Sequence, residues 1–263
     1  MKNAIGIFDS GVGGLTVLRQ IRQKLPEENL IYFADTARIP YGGKSRETIL
    51  RYSIENAIFL LEKDVKLLVV ACNTATAHAI ERLQQIFSIP VIGVIEPGVE
   101  CALKTSKTGR LAVLGTKGTI DSQAYQREIL RRNPQAHIAA VPCPLFVHLV
   151  EEGYAEHAAT RLIIREYLEP LKEQHIDTVL LGCTHYPLLQ RQIQEEMGPH
   201  ITLIDSATTC AEQVAKLLTA QGMRSSVRGG DRFYVTDDPH KFSKLAGDLL
   251  GESLSSVERV SIG

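Results

Sequence analysis

Short unbroken apolar runs alternate along this chain with longer stretches in which apolar residues recur every three or four positions. The runs Ala4 to Phe8, Leu30 to Ala34, Leu67 to Ala71, Val91 to Val94, Leu111 to Leu114, Ala139 to Val141, Thr178 to Leu181, Ile201 to Ile204 and Phe233 to Thr236 are strand-sized. Most are apolar at every position rather than at alternate ones, which fits strands covered on both faces, as in parallel sheets. Between them, Ser45 to Lys63, Ser122 to Arg132, Ala155 to Gln174 and Ala211 to Gln221 carry helical spacing with charged residues interposed. Strand and helix in alternation predict βαβ units and an α/β fold of mostly parallel sheets flanked by helices.

The two halves of the chain also resemble each other weakly. Gly6 to Gly11 parallels Ala112 to Lys117, Tyr32 to Asp35 parallels Ala140 to Cys143, and Leu68 to Asn73 parallels Val179 to Thr184, at nearly constant separation. This predicts two similar lobes, related by a pseudo-twofold, whose strand ends face a common cleft, the usual ligand site of such sheets. A Pro-Gly turn at Ile95-Glu96-Pro97-Gly98 marks the expected boundary. Residues 1–96 with 207–263 then form the first lobe, carrying Cys72, and residues 97–206 the second, carrying Cys183. The tail after Ser206, read as a helix and one more strand, is expected to return to the first lobe.

Composition narrows the class of function. The 263 residues carry 29 basic and 30 acidic side chains, a net charge of −1, so there is no basic field to attract nucleic acid. The longest apolar runs are strand-sized, far below the roughly 20 residues of a membrane span. Only Lys2 precedes the first run and Asp9 interrupts it, so no signal peptide is expected. Five scattered cysteines, none in a CxxC pair, argue against a disulfide framework or zinc site and for free thiols in the cytoplasm.

Chemistry concentrates at the strand ends. Asp9-Ser10-Gly11-Val12-Gly13-Gly14 sits between a strand and a helix, but lacks both the dinucleotide spacing and a following GK[ST]. On these residues alone a tight, capped turn is the better reading. Cys72 is followed by Asn73 and Thr74 where a buried strand passes into a helix, so amide donors there favour a thiolate. Cys183-Thr184-His185 repeats the placement, with an imidazole beside the thiol. A single buried cysteine is usually inert. Two at equivalent strand ends suit proton removal from one face of a carbon and return from the other, which is racemisation. A Cys183–His185 nucleophile would leave Cys72 without a role. His148, His157 and His175 lack ligand spacing, and no metal site is expected. Asp35 to Gly43, with Tyr41, is a turn-rich loop at the cleft rim. Glu151 and Glu152 close a helical stretch before Gly153, with solvated charge the default and proximity to the cleft the alternative.

With these residues in view the chain resembles glutamate racemases, members of the cofactor-independent aspartate/glutamate racemase superfamily. The blocks Phe8 to Leu15, Asp35 to Gly42, Ala71 to Ala75, Gly182 to Leu188 and Ile204 to Ser206 carry the resemblance across nearly the whole chain. It implies interconversion of L- and D-glutamate without pyridoxal phosphate, metal or other cofactor, supplying D-glutamate for peptidoglycan. Cys72 would handle the proton of D-glutamate and Cys183 that of L-glutamate, assisted by Asp9, His185 and Glu152. Substrate contacts carried over are Asp9, Ser10, Tyr41, Gly42, Asn73, Thr74, Thr184 and His185, with Thr116 and Thr119. The resemblance further implies a homodimer. The chain begins at its first strand, so regulation through the N-terminal extension of some relatives is not expected. Two alternatives remain at this level: a racemase of another acidic amino acid such as aspartate, and a non-catalytic amino-acid-binding protein.

Overall fold

The computed structural model describes residues 4–227, 230–251, 253–254 and 256–262; Lys2, weighed above as the head of a leader, lies outside them. The chain runs β1 (Ala4–Asp9), α1 (Leu15–Lys24), β2 (Leu30–Ala34), α2 (Arg46–Leu61), β3 (Val65–Val70), α3 (Asn73–Ile86), β4 (Val91–Gly93) and α4 (Ile95–Thr105). It continues through β5 (Arg110–Gly115), α5 (Lys117–Asp121), α6 (Ala124–Arg132), β6 (His137–Pro142), α7 (Leu145–Glu151), α8 (Ala158–Leu168), β7 (Thr178–Gly182), α9 (Gln190–Met197) and β8 (Thr202–Asp205). Then come α10 (Ser206–Ala220), β9 (Arg232–Val235), α11 (Pro239–Leu250) and β10 (Val257–Arg259).

Two all-parallel sheets result, ordered β10-β9-β2-β1-β3-β4 and β6-β5-β7-β8. The strand alternation of side chains explains the continuous apolar runs. Ile5, Ile7, Leu67 and Val69 point into the core under α1, α10 and α11, while Ala4, Phe8, Leu68 and Val70 point into the core under α2 and α3. In the second sheet Ala112, Leu114, Val179 and Leu181 face a core with α7, α8 and α9. Leu111, Val113 and Leu180 face one containing α4 and α6. The orders β2-β1-β3-β4 and β6-β5-β7-β8 are the same winding, which gives the sequence repeat a topological form.

Several boundaries differ from the sequence reading. Ile95 to Gly98 is the first turn of α4 rather than a Pro-Gly turn, because proline is tolerated where a helix has no amide partner to lose. The helix expected over Ser122 to Arg132 is α6, which starts two residues later, at Ala124, because Gln123 lies in the left-handed region (φ 55°). Helix α10 starts at Ser206, five residues early, because the Asp205 carboxylate accepts the Ala207 amide at 2.8 Å and caps it. The tail holds two strands, not one: β9 pairs with β2, and the short, half-exposed β10 pairs with β9.

Candidate active site

Cys72 follows β3 and caps α3: its Sγ accepts the Ala75 amide at 3.4 Å and lies 3.9 Å from Ser10 Oγ. Cys183 follows β7 in the equivalent place. Both sulfurs belong to residues no more than 6% exposed, and both line one cavity of about 30 Å³ between the sheets. Burial pushes the Cys72 thiol up to about 12, with the negative charges of Asp9 and Cys183 adding to the effect against the Ala75 amide. Cys72 therefore rests as a thiol.

The surroundings of Cys183 are different. Its Sγ lies 3.8 Å from His185 Nδ1, and His185 Nε2 lies 3.0 Å from Glu151 Oε1. Burial alone pushes this imidazole down, but the Cys183 sulfur and the Glu151 carboxylate outweigh it and raise His185 to about 10. Glu151 is held low: burial raises it, and the His185 bond and charge more than reverse that. At neutral pH the geometry is a buried imidazolium between a carboxylate and a sulfur.

Asp9, at the end of β1, is fully buried and accepts the Gly11 amide at 3.0 Å and the Thr184 hydroxyl at 3.4 Å. Burial raises its pKa, opposed by the His185 charge and the Gly11 and Gly14 amides. The glycine-rich turn is more than a capped turn. A Cβ on Gly13 would stand 2.4 Å from Thr184 Oγ1 and 2.5 Å from His185 Nδ1, so the missing side chain lets the two lobes meet over the imidazole. Thr16 Oγ1 fastens the same seam, within hydrogen-bond reach of both the Gly13 and Thr184 carbonyls.

Of the residues singled out from sequence, Ser10, Tyr41, Gly42, Asn73, Thr74, Thr116, Thr184 and His185 join the two cysteines around the cavity. Tyr41 contributes body and backbone only, since its hydroxyl turns away to donate to buried Asp35 and accepts the Asn56 amide at 3.0 Å. Thr74, Thr116 and Thr119 form a hydroxyl triangle with sides of 2.9, 3.0 and 3.2 Å, in which Thr119 stands behind the other two. Asp9 also stands behind the cavity wall. Glu152 is not part of the site: it is the exposed C-cap of α7, and the preceding Glu151 makes the contact with His185. His148, His157 and His175 are exposed.

Sequence reasoning missed Val147 and left Glu151 as solvated charge by default; both line the cavity from α7. Their signal was spacing: residues four apart share a helix face. It also missed Tyr125, whose hydroxyl donates to Asn73 Oδ1 at 2.7 Å. Among the described residues no cluster of three or more His, Cys, Asp or Glu is placed to hold a metal, and no helix is long and apolar enough to cross a membrane.

Residues 6–214 match the model of the Asp/Glu/hydantoin racemase family. The chain is 51% identical over 261 residues to a glutamate racemase of Geobacter metallireducens, covering 98% of this chain and 97% of that one. Among solved structures it is similar to glutamate racemase isoform RacE1 from Bacillus anthracis, at 38% identity and TM-score 0.96 over 98% of this chain and 97% of the other. It is also similar to glutamate racemase from Francisella tularensis in complex with D-glutamate, at 37% identity and TM-score 0.93 over 99% and 98% of the two chains.

Proposed function

The chain belongs to the Asp/Glu/hydantoin racemase family and is an amino-acid racemase; from that premise we propose that it interconverts L- and D-glutamate by a two-thiol, cofactor-independent reaction. The observation that carries the mechanism is the pairing of Cys72 and Cys183, from equivalent turns of the two sheets, on one buried cavity. For L-glutamate, Cys183 as thiolate takes the Cα proton, breaking C–H and forming S–H. The electron pair stays on the planar carbon until Cys72 gives its thiol proton to the opposite face, forming the new C–H bond. D-glutamate runs the exchange in reverse. The resting state suits the first direction, with Cys72 protonated and a charged His185 beside Cys183.

Neutral donors suit the two carboxylates of the substrate. Ser10, Thr74, Thr116 and Thr184 bring hydroxyls to the cavity, and the Asn73 amide brings N–H groups. Asp9 acts on Cys72 through its charge, which keeps that thiol protonated, and His185, held by Glu151, serves Cys183. The lobes are taken as residues 1–96 with 207–263 and residues 97–206. The family resemblance supports a homodimer working in the cytoplasm to supply D-glutamate for peptidoglycan.

The test is incubation of the purified, chelator-treated protein with L-glutamate in D2O, following Cα deuteration and optical rotation together. Deuterium incorporation with loss of optical activity is expected. Background rates of both in folded protein overturn the reading. So does racemisation at the wild-type rate by Cys72→Ala or Cys183→Ala.

A further inference from the structure

Asn73 has two chemically opposite ends, and only one of them is used within the protein. Its side-chain oxygen accepts the Tyr125 hydroxyl at 2.7 Å, while its nitrogen is buried without a partner among the described residues. Asn73 lines the cavity and Tyr125 does not. A buried amide N–H without an acceptor is destabilising, so such a group marks a place where an acceptor is to be bound. An amide can turn over, exchanging a donor face for an acceptor face; whatever holds its oxygen decides which face the cavity receives.

Tyr125 is built to hold it. The residue lies on α6, is fully buried, and belongs to the lobe opposite Asn73. Its ring passes directly over the turn that carries the other thiol: a Cβ on Gly182 would stand 3.0 Å from Tyr125 Cε2, and 2.7 Å from the Leu114 carbonyl. The phenol thus touches the residue before Cys183 and bonds the residue after Cys72. Burial raises its pKa, with the charges of Cys183 and Asp205 adding to this, so it remains a hydroxyl and a donor.

We propose that Tyr125 is a positioning residue for substrate recognition: by taking the Asn73 oxygen it commits the Asn73 nitrogen to donate to a substrate carboxylate. Because donor and clamp sit on different lobes, the donor face is set only when the lobes are together. This rests on the glutamate reading above. Without the Tyr125 hydroxyl the amide is free to offer its oxygen, which repels a carboxylate.

The experiment is steady-state kinetics in both directions for Tyr125→Phe, Asn73→Ala, the double variant and Asn73→Asp, with thermal melts as the folding control. Tyr125→Phe is expected to raise KM for both enantiomers about tenfold with kcat within about twofold, the loss of one orienting hydrogen bond. In the Asn73→Ala background the same change is expected to add nothing, whereas a separate structural role would multiply. Asn73→Asp keeps the bond from Tyr125 but turns the donor into an acceptor, and is expected to raise KM about a hundredfold or more. An unchanged KM in Tyr125→Phe, a multiplicative double variant, or a kcat loss at constant KM each overturns the proposal. Should Tyr125→Phe not fold, an unchanged KM in Asn73→Asp overturns it and a raised one upholds it. A wild-type protein inactive on glutamate brings down the glutamate reading and this inference with it; an active wild type with an unaffected Tyr125→Phe brings down this inference alone.

Discussion

At the scale of residues, the two thiols differ less in themselves than in what faces them. Cys72 faces an amide and a buried carboxylate, Cys183 an imidazole backed by Glu151. The His185 charge is therefore the quantity to perturb. A raised imidazole contributes stability that is fully present below its unfolded value near 6.5 and lost as pH climbs through about 10. The lowered Glu151 contributes above its unfolded value of 4.5 and loses it as pH falls through its lower folded value. Glu151→Gln removes the carboxylate hydrogen-bonded to His185. Its alkaline limb in a kcat/KM profile for L-glutamate is expected to move to lower pH, with activity at neutral pH down at least about tenfold; an unmoved limb contradicts the coupling. Gly13→Ala drives a methyl into Thr184 and the imidazole. Racemisation about a hundredfold slower in folded protein is expected, the scale of a displacement near 1 Å, and a wild-type rate would show that the seam yields. The cysteines were legible in the sequence because they recur at matched strand ends. Glu151 was not, since neighbouring helical residues point about 100° apart and only the fold says which of two glutamates turns inward.

At the scale of elements, strands were more legible than their surroundings. An apolar run buried on both faces leaves the same mark wherever it lies, so β2 was read to its ends. Helix limits depend on single capping and backbone events, such as Asp205 at α10 or the left-handed Gln123 before α6, which periodicity does not record. The short β10 carries Glu258 and Arg259 and lacks the apolar run that announces a strand. The loop from Thr36 to Gly43 is a further case: its shape comes from a residue behind it. Asp35 is fully buried and accepts Arg38 Nε at 2.7 and 2.9 Å, Thr236 Oγ1 at 3.1 Å and the Tyr41 hydroxyl. It ties the cavity-lining loop to the end of β9. Asp35→Ala takes the acceptor from two hydroxyls and one of three acceptors from Arg38, which keeps Glu55 and Asn56. Urea unfolding is expected to show a loss of about 2 kcal/mol, and the surviving folded protein a raised KM for glutamate. A stability within experimental error of wild type would mean that water replaces the carboxylate without cost.

At the scale of the whole molecule, the two sheets meet over both thiols, which are nearly covered around a small cavity. Reaching them is expected to need the lobes to part. The polar seam includes the threonine triangle, the Thr184 bond to Asp9, the Thr16 bond to the Thr184 carbonyl, the Tyr125 bond to Asn73, the Arg132–Glu96 pair and a 3.1 Å contact from His78 Nε2 to the Gly118 carbonyl. Bonds of this kind contribute roughly 0.5–1.5 kcal/mol each, so a mostly closed form with transient opening is expected. Thiol labelling reads that balance. With iodoacetamide, half-buried Cys101 is expected to react first, and Cys72 and Cys183 at least about tenfold slower than in the unfolded chain, because each must await opening. Glutamate bound between the lobes should slow both further and leave Cys101 unaffected. Equal labelling of all three thiols, indifferent to glutamate, would mean that the cleft stands open in solution, and the closed resting state with its buried imidazolium would have to be given up.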